Sequence, residues 1–230
     1  MPVKRLSGVR LKVEDPAGLA GFYAKVFGME IREEGGAWRA GYAGEDADLI
    51  LLPGGRALPH SREERFWKIG ICLPDLDIAC DQLRRAGVEV SAPHQFRDIG
   101  YMAHLHDPEG FAIELLQHDF LGNRPEGAGD PARRLGGGAH VGQVTLRTGR
   151  IAAELEQHAD MKLLSVQDVA EFGFDLYFLA YTDETPPEAD LKAVANREWL
   201  WRRPYTTLEF QHIAGAQLRG SPAFQGLEIS

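Results

Sequence analysis

Hydrophobic and polar positions follow two periods along this chain, and the order of the periods repeats. Val9-Arg-Leu-Lys-Val13 alternates apolar and charged residues, the period of a strand with one wet face. Asp15 and Pro16 then supply a helix cap and a first-turn proline, and Leu19, Phe22, Tyr23, Val26 and Phe27 recur at helical spacing. Gly28 stops this helix where a left-handed backbone costs least. Short strands are predicted over 29–32, 38–42 and 48–52.

The same order returns twice. A strand over 67–73, Asp75 as cap, a helix to Ala86 and Gly87 as stop are followed by strands near Val88 and over 101–106 and 112–117. Asp107-Pro-Glu-Gly110 joins the last two as a tight turn, proline presetting one dihedral and glycine supplying the positive one. The third echo runs over 145–164. It covers from Arg147 to Met161, 15 residues, what the first copy covers from Lys12 to Met29, 18 residues, so its helix is predicted to be about one turn shorter. An aromatic, alternating strand over 172–181 and a strand over 206–210 complete the third unit. Between them an insertion, 183–203, carries Pro186-Pro187 and Asn196-Arg-Glu-Trp-Leu-Trp201. One further strand is predicted over 224–229.

These units divide the chain into a paired-unit domain over 1–118, a Gly-, Pro-, Asp- and Arg-rich linker over 119–139, and a third unit over 140–230. A shorter Gly/Pro linker, 53–59 followed by Arg62-Glu-Glu-Arg65, separates the first two units. Gly136-Gly-Gly138 is too plain a run to read as a phosphate loop. A unit that cannot bury its own apolar face must stack on a copy of itself, so function is sought where the copies differ.

At 230 residues and a formal net charge of −9, the chain has room for a sizeable core and no global basic stripe for nucleic acid. Apolar runs are strand-sized, which excludes a helical membrane span, and Met-Pro-Val-Lys-Arg5 lacks the apolar stretch of a secretory signal. Cys72 and Cys80 fit neither a disulfide framework nor a zinc site and read as reduced core residues of a cytoplasmic protein.

The repeated strand, helix and three-strand unit resembles the vicinal oxygen chelate superfamily of glyoxalases, bleomycin resistance proteins and extradiol dioxygenases. The resemblance is carried over 8–118 by Val9-Arg-Leu-Lys-Val13, Phe22-Tyr-Ala-Lys-Val-Phe-Gly-Met29 and Asp107-Pro-Glu-Gly-Phe-Ala-Ile-Glu114. Residues 142–212 are similar more specifically to glyoxalase I, through Gln143-Val-Thr-Leu-Arg147, Phe174-Asp-Leu-Tyr-Phe-Leu-Ala-Tyr181 and Thr207-Leu-Glu-Phe210. This implies an α+β fold in which βαβββ units form cupped mixed sheets. It also implies a lyase or isomerase acting on a small oxygenated substrate, such as a glutathione hemithioacetal of a 2-oxoaldehyde.

In that family one metal ligand lies near the start of a unit's first strand and another on its last. The resemblance thus assigns Gln143 and Glu209 to a divalent cation (Zn, Ni, Co, Mn or Mg), with Glu209 and Glu114 as proton-transferring carboxylates. Arg147 would meet a substrate carboxylate, and Phe174, Leu176 and Phe178 would wall the pocket, although such a stripe also reads as plain core. The first unit offers Gly8 and Ile50, which bind no metal, and the second offers Lys68 and Glu114, where lysine puts a positive charge at the cation's place. The family's asparagine falls at Ile213, which weakens a glutathione reading. With one unit holding both ligands and no fourth unit, a homodimer sharing Gln143 and Glu209 is expected, Glu114 joining from the second unit being the alternative. A binding protein that sequesters a small molecule without turnover is the second functional reading. His104 and His106 alternate on a strand and could bind substrate or metal, His118, His140 and His212 read as surface residues, and Trp199 and Trp201 as a dimer contact or a lid.

Overall fold

The computed structural model describes residues 4–57 and 61–230; part of the expected 53–59 linker and the first residues of the N-terminal reading lie outside them. Each unit forms as its local signals dictate. In the first, β1 (Leu6–Val13) leads into α1 (Pro16–Phe22), whose cap Asp15 accepts a hydrogen bond from Gly18 N at 3.0 Å. The helix continues as a widened turn, Tyr23–Phe27, and ends at Gly28 with φ 73°. β2 (Glu30–Glu34), β3 (Ala37–Gly41) and β4 (Asp48–Pro53) complete it.

The second unit comprises β5 (Phe66–Leu73), α2 (Leu76–Arg85), β6 (His94–Phe96), β7 (Gly100–His106) and β8 (Ala112–Gln117). The strand expected near Val88 is only an isolated bridge at Val90, and the ladder starts at His94. The third unit contains β9 (His140–Thr148), α3 (Ile151–Gln157), β10 (Lys162–Val169), β11 (Phe174–Ala180) and β12 (Thr207–His212), with α4 (Ala195–Trp201) in the insertion. At seven residues α3 is the short helix that the spacing predicts. β13 (Phe224–Ile229) follows.

The units pair differently from the sequence expectation. The first two do not close on each other, because they lie in separate sheets: one of order β13-β1-β4-β3-β2, the other β10-β11-β12-β9-β5-β8-β7-β6. The second and third units therefore make the eight-stranded cup, joined where β5 runs antiparallel to β9. Among the described residues the strands of the first unit pair outside that unit with β13 alone, which runs antiparallel to β1. The third unit thus finds its partner within its own chain, and the ground for an obligatory dimer falls away.

The β5–β9 seam is close because each strand sets a glycine against the other's side chain. A Cβ on Gly70 would lie 2.2 Å from Gln143 Cγ, and one on Gly142 would lie 2.2 Å from Cys72 Sγ. Alternation then separates two faces. Ile69, Ile71, Leu73, Ile113, Leu115, Val144, Leu146, Leu208 and Phe210 enter a core shared with Val9, Leu11, Tyr23 and Phe27 of the first unit. Lys68, Gly70, Glu114, Gln143, Thr145 and Glu209 take the alternate positions on the same strands, which face the cup. Buried polar contacts tie the two sheets together: Tyr23 Oη donates to Asp107 Oδ2 at 2.7 Å, and Glu109 accepts from the backbone N–H groups of Glu14 and Asp15 at 3.0 and 2.8 Å.

Candidate functional site

Strand register brings the polar residues of the cup together. Glu114 and Gln143 lie on either side of Gly70, while Lys68 pairs with Thr145, which in turn pairs with Glu209. One step outward, His104 lies opposite Glu114 on β7. Four strands from two units thus place Lys68, Glu114, Gln143 and Glu209 at the base of one cavity of about 610 Å³. Each is at most 5% exposed.

Lys68 Nζ is the centre of the network. It donates to Glu114 Oε1 at 2.6 Å and lies 3.4 Å from Glu209 Oε2, with the Trp67 ring 4.6 Å from the ammonium. Gln143 Nε2 donates to the same Glu114 oxygen at 2.7 Å, and His104 Nε2 meets Glu114 Oε2 at 3.0 Å. Thr145 Oγ1 donates to Glu209 Oε2. Gln143 Oε1 is left buried without a hydrogen-bond partner.

Electrostatics follow from this geometry. Burial pulls Lys68 down, but Glu114 and Glu209 more than offset it and hold the ammonium above the ordinary lysine range. Burial opposes ionisation of Glu114, yet Lys68 and His104 outweigh it and keep this carboxyl below its usual range. Glu209 is displaced the other way, since burial and the Glu114 charge exceed what Lys68 and Thr145 return.

The other sequence-predicted residues take distinct places. Phe178 and Leu176 on β11 are buried in the cavity wall beside Phe174, and Phe178 meets Trp201 edge-on at 5.2 Å. Arg147 lines the rim but is already engaged: Nε donates to Gln211 Oε1 at 3.0 Å, Nη1 to the carbonyls of Ser61 and Glu64 at 3.1 and 3.3 Å, and its guanidinium lies over Trp67. Burial, with Arg62 nearby, lowers its pKa to about 10. His104 and His106 both line the cavity.

Sequence reasoning missed the part of the wall that the second unit supplies, and offered Trp201 only as a dimer contact or a lid. Ile99, Met102, Leu116 and Phe96 come from the second unit, and Trp201 comes from the insertion. Trp201 is 2% exposed and donates to Ile99 O at 3.0 Å, while Arg197 holds Asp98 at 2.6 Å, so α4 closes the cup rather than facing a second copy. The aromatic pair in the insertion was the available signal, but its direction was not local information. Across the mouth, Phe96 and Phe172 approach to 5.3 Å and Arg97 pairs with Glu171 at 3.1 Å. His118 and His140 are also not simple surface residues: their rings lie 5.5 Å apart, and each Nε2 is buried.

The metal expectation can be tested on these contacts. A divalent cation held by Glu114, Gln143 and Glu209 would have to occupy the space of the Lys68 ammonium, which offers no lone pair and repels a second cation. Gln143 also turns its amide nitrogen toward Glu114. The residues present do not fit a divalent metal, which corrects the assignment of Gln143 and Glu209 as its ligands. Among the described residues no group of three or more His, Cys, Asp or Glu could hold one, and no helix is long and apolar enough to cross a membrane.

Comparison with known proteins agrees with this architecture. The structure is similar to glyoxalase I from Zea mays, at 18% identity, a TM-score of 0.68, and coverage of 98% of this chain and 74% of that one. A glyoxalase I mutant from Zea mays gives 18% identity, a TM-score of 0.69, and coverage of 99% and 75%. No curated protein matches by sequence. Residues 5–115, just under half of the chain, match the model of the Glyoxalase/Bleomycin resistance protein/Dioxygenase superfamily, and nearly the whole chain shares its fold with glyoxalase I from Zea mays.

Proposed function

We propose that the cup between the second and third units binds a small molecule with an apolar body and a hydrogen-bond-donating head, and that it does so without a divalent metal. Gln143 Oε1 carries this reading: a buried acceptor with no partner lines the cavity. Such an atom costs about 1–3 kcal/mol unless something donates to it. A ligand hydroxyl or amine would satisfy it, while Leu176, Phe178, Met102 and Trp201 would cover the apolar body. In this reading residues 66–212 are the binding domain, and the first unit with β13 is its support.

A titration with 2-naphthol, followed by the fluorescence of Trp67 and Trp201, tests the proposal. Saturable binding is expected, weakened about 10-fold by Gln143→Leu, since a hydrogen bond of about 1.4 kcal/mol is lost. Equal binding of naphthalene and 2-naphthol, or no effect of Gln143→Leu, would refute the role of this acceptor.

A second reading is a metal-independent isomerase. It is favoured by Glu114 and Glu209 flanking Lys68 in the same cavity of about 610 Å³, two carboxylates in unlike surroundings within reach of one ligand. Glu209 would move a proton between carbons of the bound molecule, and Lys68 would steady the developing negative charge. Isomerisation of the methylglyoxal–glutathione hemithioacetal, insensitive to chelator and lost in Glu209→Gln, would establish it. Absence of turnover leaves the binding reading.

A further inference from the structure

We infer that Lys68 is a resident cation standing where a divalent metal would sit, so that the cup excludes metal as it is and acquires a metal site once the ammonium is removed. This deepens the binding reading by assigning the charge at its base. The two fail separately, because ligand titration and metal content are independent measurements.

The geometry makes the substitution specific. Glu114 reaches Lys68 Nζ from the last strand of the second unit and Glu209 from the last strand of the third, on the two sides of the β5–β9 seam. Gln143 adds a third oxygen-bearing side chain from the first strand of the third unit. Two carboxylates and an amide oxygen are hard donors of the kind that hold a divalent cation. Lys68 arises from the corresponding first strand of the second unit and fills the centre with a single positive charge.

Charge counting separates this from an ordinary buried ion pair. One ammonium balances one of two carboxylates, and the second is steadied by Thr145 and partial attraction to the same nitrogen. A divalent ion would balance both. An incoming metal must therefore displace a buried ammonium already bonded to Glu114, against repulsion between like charges with little solvent screening. Once the lysine is removed, that repulsion vanishes and two buried carboxylates lose their cation. Rotation of the Gln143 amide would then bring Oε1, which has no hydrogen-bond partner, toward the vacated centre.

The test compares the wild-type chain with Lys68→His, Lys68→Gln and Lys68→Arg. Each is incubated with Zn²⁺, Ni²⁺ or Mn²⁺, desalted, and measured for metal content and for Tm. The wild type and Lys68→Arg should retain only traces and show no shift, whereas Lys68→His, and more weakly Lys68→Gln, should retain about one equivalent and melt higher with metal. If the neutral variants are unfolded as purified, recovery of folded protein on adding one of these metals supports the inference. Failure with all three overturns it. Wild-type protein holding a stoichiometric metal that is lost in Glu209→Gln overturns it as well, as do folded Lys68→His and Lys68→Gln chains that both remain empty.

Discussion

Gly70→Ala should destabilise the protein through Gln143 alone, and truncating Gln143 should rescue it. Gly70 has no positive φ, so alanine meets no backbone penalty there. Its Cβ would instead lie 2.2 Å from Gln143 Cγ, 2.6 Å from Cδ and 2.8 Å from Nε2. The glutamine must move, losing the 2.7 Å bond to Glu114. Overpacking costs about 1–3 kcal/mol, and a hydrogen bond to a charged group adds about 1.5–3 kcal/mol, so Gly70→Ala should lose roughly 2.5–6 kcal/mol. Gln143→Ala should lose about 1.5–3 kcal/mol by removing the bond without creating a clash. In the double variant the new methyl occupies space the glutamine has left, and stability should return close to that of Gln143→Ala. Guanidinium unfolding of the four proteins measures the coupling, which should nearly equal the Gly70→Ala cost, roughly 2.5–6 kcal/mol. Costs that add to within about 0.5 kcal/mol, or a Gly70→Ala chain as stable as wild type, would refute the interdigitated seam.

Lys68→Met should cost about 3–5 kcal/mol in metal-free buffer, because Glu114 and Glu209 would stay buried without their cation; denaturant unfolding checks this. Trp201→Ala should lose about 3–5 kcal/mol and weaken 2-naphthol binding, because the ring closes one side of the cup and its N–H satisfies Ile99 O. Acid should act through the paired histidines. Burial, with His140 and Arg202 adding to it, holds His118 at about 3, and burial holds His140 at about 4, against 6.5 for a free imidazole. The unfolded chain therefore binds protons that the folded chain refuses. The stability these neutral rings allow is fully present above pH 6.5 and declines as pH falls toward 4, by up to about 1.4 kcal/mol per pH unit for each ring, less what partial exposure screens. Asp107, raised to about 6 by burial against the hydrogen bonds from Tyr23 and the turn amides, works in the opposite sense, since the folded chain takes its proton first. Comparing Tm against pH for wild type and a His118→Leu/His140→Leu variant cancels the Asp107 contribution, and parallel curves would remove the histidines from the explanation.

Much of each unit was legible locally. Asp15 and Asp75 cap their helices with 3.0 Å bonds to Gly18 N and Ile78 N, and Gly28 and Gly87 adopt the positive φ that the stop positions require. The Asp107–Gly110 turn, the short third helix and the aromatic strand likewise follow from side-chain period and turn chemistry, which act within a few residues. Resemblance, rather than local pattern, singled out Gln143, Glu114 and Glu209 and the positive charge that Lys68 sets among them.

What local pattern could not supply was which unit meets which. β1, β5 and β9 are all strongly buried strands, and alternation along a strand is blind to the neighbour on its edge. Pairing was decided by fit across the seam, Gly70 against Gln143 and Gly142 against Cys72, contacts about 70 residues apart in sequence whose complementarity has no period. The choice of β5 for β9 then did everything else at the site: it carried Glu114 to Glu209, made Lys68 their shared cation, and removed the need for a second chain. Sequence alone determined the units and the chemical groups each could offer. Tertiary structure decided which groups share one low-dielectric volume, because only there does a single ammonium between two carboxylates do the work of a cation.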